Sequence, residues 1–189
     1  MNKLVRLSLL ALSLAIASHA HAQLITNGGF ETGNFSGWTQ SGDLSYTGTT
    51  SDTYYSGTYS AVFGPVNSLG YIEQTVATAP GASYDLSFFL SNDDEDDENS
   101  FSVSWNGLEL AAGENMAPFD WTRYSFDVVA TDSTSTLKFG FFNSPAYYYL
   151  DDVALSQRTS SAVPEPSTYG LIGALALVGL VAVRRWRNR

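Results

Sequence analysis

Between Ser83 and Leu155 the chain repeats one pattern, short runs in which apolar residues alternate with polar ones. A period of two fits a half-buried β-strand and no helix. The sets are Tyr84, Leu86, Phe88 and Leu90; Phe101, Val103 and Trp105; Tyr124, Phe126 and Val128; Leu137, Phe139 and Phe141; and Tyr149, Val153 and Leu155. Each run is bounded by Gly, Asn, Asp or Pro, the residues that break strands. The clearest strands are predicted at 71–76, 83–91, 100–105, 122–129, 136–142 and 147–155, with earlier ones at 24–26, 43–46 and 59–63. About nine short strands at this spacing make an antiparallel β-sandwich, and a jelly roll is the natural arrangement. The predicted domain, residues 23–161, has room for one sandwich core.

What the chain lacks narrows its chemistry. It has no cysteine, which excludes a disulfide framework, thiol catalysis and thiolate metal sites. Its only histidines, His19 and His21, lie beside a predicted processing site, so imidazole chemistry leaves with the leader. From Gln23 to Val163 there are 18 acids and three bases (Arg123, Lys138 and Arg158), a net of −15 that argues against a nucleic-acid partner.

The two ends read as addresses. Residues 1–22 have the parts of a secretory signal: Lys3 and Arg6, an apolar stretch, and Ala20-His21-Ala22 before Gln23. Residues 168–183 carry no charge and precede a basic tail, 184–189, with four arginines. Sixteen helical residues rise about 24 Å. That is marginal against a hydrocarbon core of about 30 Å, but spanning is feasible where arginines snorkel. The basic ends are expected on the cytoplasmic side and everything between them across the membrane. In the strip at 162–167, Pro164 and Pro166 keep the backbone extended on either side of Glu165.

The order Pro164-Glu165-Pro166, apolar helix, then Arg184-Arg185 resembles the PEP-CTERM sorting signal of bacterial surface proteins. The resemblance implies an exosortase-type processing enzyme as partner and a precursor held transiently in the inner membrane. The mature form would then be at the cell surface or secreted, in the setting of exopolysaccharide and biofilm. A permanent inner-membrane anchor is the alternative. A second resemblance covers the domain: Asn27-Gly28-Gly29-Phe30-Glu31, followed by Gly37-Trp38, and the closing Tyr149-Leu150-Asp151-Asp152-Val153 are similar to the ends of galactose-binding-like carbohydrate-binding modules. It implies a structural calcium held by the Glu31 and Asp151 carboxylates and the Gly29 and Tyr59 carbonyls. Ser56 departs from a pattern in which some members carry a carboxylate nearby.

Parity independently places Asp151 inward between Tyr149 and Val153, and a buried carboxylate needs a partner. Either calcium supplies it or Asp151 caps backbone amides at a strand end. The run Asp93-Asp94-Glu95-Asp96-Asp97-Glu98 puts six negative charges on one loop. It lacks EF-hand spacing and suits a solvated loop better than a glycosidase pair, because mutually repelling exposed acids do not separate two pKa values. Glycan binding would use surface aromatics. Outward parity offers Phe89, Phe142 and Tyr148, and Trp38, Tyr46, Tyr54 and Tyr55 lie in early loops, although Trp38 also suits a sandwich core. Three functions compete: a non-catalytic carbohydrate-binding matrix protein, a purely structural surface protein, and a small glycoside hydrolase. The first two are favoured, with no enzymatic activity expected.

Overall fold

The computed structural model describes residues 23–93, 98–158 and 183–187. The signal segment, the proline strip, the apolar helix short of Val183 and residues 94–97 of the acidic run lie outside the described residues. Residues 183–187 form one helical turn, with Arg184 and Arg185 exposed. Among the described residues no helix is long and apolar enough to cross a membrane.

The domain is an antiparallel β-sandwich of ten strands. They are β1 (Thr39–Gly42), β2 (Gly48–Thr50), β3 (Ser60–Phe63), β4 (Gly70–Ala77), β5 (Ser83–Asn92), β6 (Asn99–Trp105), β7 (Leu108–Glu114), β8 (Phe119–Val129), β9 (Thr134–Asn143) and β10 (Tyr148–Gln157). One sheet has the order β1-β4-β9-β6-β7, the other β2-β3-β10-β5-β8. The inward residues of the alternating strands meet as a core of aromatic rings. Phe63 stacks on Phe141 with centroids 4.1 Å apart, and Phe88 meets Phe139 edge-on at 5.0 Å, so both pairs join the two sheets. Such pairs add about 0.5–1.5 kcal/mol each beyond the area they bury. The expected jelly-roll sandwich is the fold found.

Two expected strands are absent, and three strands lie outside the expected set: β1 and β2, which flank the predicted 43–46, and β7. Residues 24–26 form no strand. Gln23 bridges Ser156, and Leu24 N donates to Leu155 O at 2.9 Å, so the opening segment lies along β10 without a ladder. Residues 43–46 are a turn. Asp43 Oδ1 accepts from the Ser45 hydroxyl and amide and its Oδ2 from Asn67 N, which holds its carboxyl well below the usual carboxylate range. β7 was not anticipated, because Leu108–Glu114 is an edge strand with its apolar side chains exposed or half-buried, so its alternation is weak.

Parity also fails once, in β10. Tyr148, expected outside, is fully buried, whereas Tyr149, expected inside, lies on the outer face. The cause is a bulge between Asp151 and Ala154, with Asp152 at φ 48°. One extra residue flips the faces, so Tyr148 and Leu150 before it and Val153 and Leu155 after it all point into the core.

Candidate functional site

The bulge carries the first feature of interest. Asp151 shares the outer side of its sheet with Tyr149, not the sandwich interior, and is buried beneath the loop between β2 and β3. Its Oδ2 accepts from Tyr55 N at 2.9 Å and Ser56 N at 3.1 Å, and its Oδ1 from Asp152 N at 2.6 Å. Burial raises its pKa to about 6 against these amide bonds, with the neighbouring Asp152 charge adding to the rise. The Ser56 hydroxyl donates to both oxygens of Asp152 at 3.0 Å. Glu31 accepts from Thr58 N and Tyr59 N, and these amides hold its pKa down.

The expected ligands Gly29, Glu31 and Asp151 are therefore brought together. A Cβ built on Gly29 would lie 3.4 Å from Asp152 Oδ1, 3.7 Å from Asp151 Oδ1 and 3.7 Å from Glu31 Cγ. Tyr59 contributes an N–H toward Glu31. Carboxylate oxygens gathered beside Gly29 are the hard donor type that calcium takes. They have also recruited loop amides, as the capping alternative for Asp151 supposed. Among the described residues no cluster of three or more His, Cys, Asp or Glu side chains is close enough to grip a metal by side chains alone.

The second feature lies farther along the outer face of the same sheet. Ser91 on β5 pairs with Tyr149 on β10, and Trp121 stands on the neighbouring edge strand β8. The small serine between two large side chains leaves a cleft of about 390 Å³, lined by Ser91, Asp93, Phe119, Asp120, Trp121 and Tyr149 among others. The Trp121 and Tyr149 rings are 6.5 Å apart at 59°. Tyr55 stacks on Phe89 at 3.6 Å and meets the edge of Trp121 at 6.1 Å. Asp93 Oδ1 accepts from Tyr147 N at 2.7 Å and its Oδ2 from the Tyr149 hydroxyl at 3.1 Å. Burial, and next the Asp93 charge, push the Tyr149 phenol up to about 12, so it stays a neutral donor. Ring walls with the fixed Asp93 carboxylate and Asp120 beside them are suited to stacking against an apolar ring face and hydrogen-bonding its rim.

Of the four aromatics expected to bind glycan, none lines this cleft; Phe89 shares its sheet face, where Tyr55 covers it. Trp38 is core, stacked on Phe30 at 5.8 Å with its indole N–H on Asn27 O. Tyr148 is core as well, its hydroxyl donating to Asn99 Oδ1, because the bulge reverses the parity that placed it outside. Phe142 is half-buried on β9, in the other sheet. The four do not form one platform. Trp121 was missed, although its odd parity against Tyr124, Phe126 and Val128 marks it as outward. Tyr149 could not be found by parity, for the reason that misplaced Tyr148.

Residues 22–146 match the family model described as a carbohydrate binding domain, and residues 162–187 match the PEP-CTERM protein-sorting motif. No curated protein is similar in sequence. Among solved structures, TmCBM61 in complex with β-1,4-galactotriose is similar at TM-score 0.61 and 18% identity, over 72% of this chain and 99% of that one. The CBM22-1 xylan-binding domain from Paenibacillus barcinonensis Xyn10C aligns at TM-score 0.53 and 17% identity, over 77% of this chain and 100% of that one. The enzymatically active domain of bacteriophage CBA120 tailspike protein 4 aligns at TM-score 0.55 and 16% identity, over 72% of this chain and 21% of that one. At these identities the likeness is one of fold. The chain belongs to the carbohydrate binding domain family, and its PEP-CTERM motif makes it an exported protein with a membrane-associated precursor.

Proposed function

We propose that this protein is a non-catalytic glycan binder, released to the cell surface or matrix by an exosortase-type enzyme that recognises Pro164-Glu165-Pro166 and the arginines after the apolar helix. The observation that carries the binding reading is the cleft between Trp121 and Tyr149, flanked by Asp93 and Asp120. Asp93 is committed as acceptor to Tyr147 and Tyr149, which suits a positioning carboxylate better than a proton shuttle. With both histidines inside the predicted leader, general-base chemistry would have to come from such acids. Exopolysaccharide is the ligand that the export route favours. Calcium, held by Glu31 and Asp151 with the Gly29 and Tyr59 carbonyls, would neutralise the junction and fix the loop that carries Tyr55.

Titration calorimetry with the producing cell's own exopolysaccharide tests the binding. Trp121→Ala should weaken it about tenfold to a hundredfold, the range for losing a central aromatic anchor. Unchanged affinity would remove the cleft from the reading, and release of shorter sugars on incubation would make the protein a hydrolase. For sorting, replacement of Pro164-Glu165-Pro166 by alanines should leave an uncut precursor in the membrane fraction. Normal release from the membrane would overturn that part.

A further inference from the structure

A second cleft lies beyond Tyr149. Tyr147, two residues earlier and on the same side of the chain, has its ring 6.2 Å from that of Tyr149. It lines this cleft, of about 300 Å³, together with Tyr46, Gly64, Val66 and Pro145. Tyr46 is 66% exposed, and its carbonyl is held by Gly64 N at 3.1 Å. The ring of Tyr147 lies so close over Gly64 that an added Cβ would sit 2.8 Å from it. Asp93 accepts from Tyr147 N and the Tyr149 hydroxyl together, so one carboxylate holds a lining residue of each cleft. Rings thus follow one another from Trp121 to Tyr149 to Tyr147 at 6.5 and 6.2 Å, steps comparable to the advance of successive sugars in an extended chain.

Charge selects among such chains. Among the described residues no lysine or arginine lines either cleft, Asp93 and Asp120 flank the central one, and the acidic run begins at Asp93. An anionic polysaccharide would be repelled.

We propose that Tyr46 and Tyr147 form a distal subsite continuous with the central cleft, so that the protein binds a linear neutral polysaccharide along its length. The inference rests on the glycan-binding reading of Trp121 and Tyr149. Its test is calorimetry of the full chain in detergent against size-graded neutral oligosaccharides cut from xylan, from β-1,4-galactan and from the cell's own matrix polysaccharide. Affinity should rise about threefold to tenfold once the ligand outgrows the central cleft, the value of one added aromatic contact. Tyr46→Ala should abolish that rise while short ligands bind as before, and Tyr46→Phe should keep it, since stacking needs the ring. Trp121→Ala should weaken every length. If wild type and Tyr46→Ala show the same length dependence, the distal subsite is wrong and the central cleft stands. Tighter binding of an anionic ladder such as oligogalacturonate would overturn the neutral class. If wild type holds none of the three neutral ladders, the glycan reading and this inference both fall.

Discussion

Among the described residues no cationic side chain bonds Asp151; its partners are the amides of Tyr55, Ser56 and Asp152, and Asp152 adds like charge beside it. Its folded pKa, about 6, lies above the ordinary carboxylate value of 3.8. Between these values the folded state holds more protons than the unfolded, so this group's contribution to stability falls as pH rises through the window. In chelator, the melting temperature of Asp151→Asn should accordingly rise relative to that of wild type from pH 4 to pH 6. Parallel curves would show that Asp151 does not titrate there. Gly57 offers a steric test of the same junction. Its φ is 68°, and a Cβ would lie 2.2 Å from Glu31 Oε1. Gly57→Ala should cost about 1 to 3 kcal/mol in a denaturant titration, through left-handed strain and displacement of the carboxylate.

At the level of elements, β10 decides most of the functional geometry. Before its bulge the strand presents Tyr149 and Asp151 to the outer face; after it, Val153 and Leu155 return to the core. The bulge therefore lets one strand carry the cleft ring of Tyr149 and the Asp151 carboxylate without giving up inward packing. The core strands are less forgiving. Phe139 on β9 touches Phe88 across the sandwich and Trp38 at 6.2 Å, all three buried. Phe139→Ala should destabilise by about 3 to 5 kcal/mol, whereas Leu108→Ala, at 70% exposure on edge strand β7, should stay within about 0.5 kcal/mol. Equal midpoints for the two variants would refute the assignment of core and edge.

Across the whole domain, its opening segment lies against its last strand, β10: Val153 N donates to Gly28 O at 3.0 Å, Leu155 N to Gln23 Oε1 at 2.7 Å, and Glu31 is tied through loop amides to the region of Asp151. An ion seated there would join distant parts of the chain and stabilise the folded state by mass action. Millimolar calcium should raise the melting temperature of wild type by several degrees and leave Glu31→Ala/Asp151→Ala unmoved; no shift in wild type would remove the ion. The sequence alone determined the sandwich, because period-two alternation is a local property that each strand displays by itself. It also determined the order of sorting signals, which are read as linear strings, and the partnership of Gly29, Glu31 and Asp151, which came through a resemblance at both ends of the domain. Only the tertiary structure decided which aromatics share a surface. Trp121, Tyr149 and Tyr147 become neighbours through strand pairing across β8, β5 and β10 and through a single extra residue in β10, and neither sheet order nor a bulge leaves a trace in local alternation.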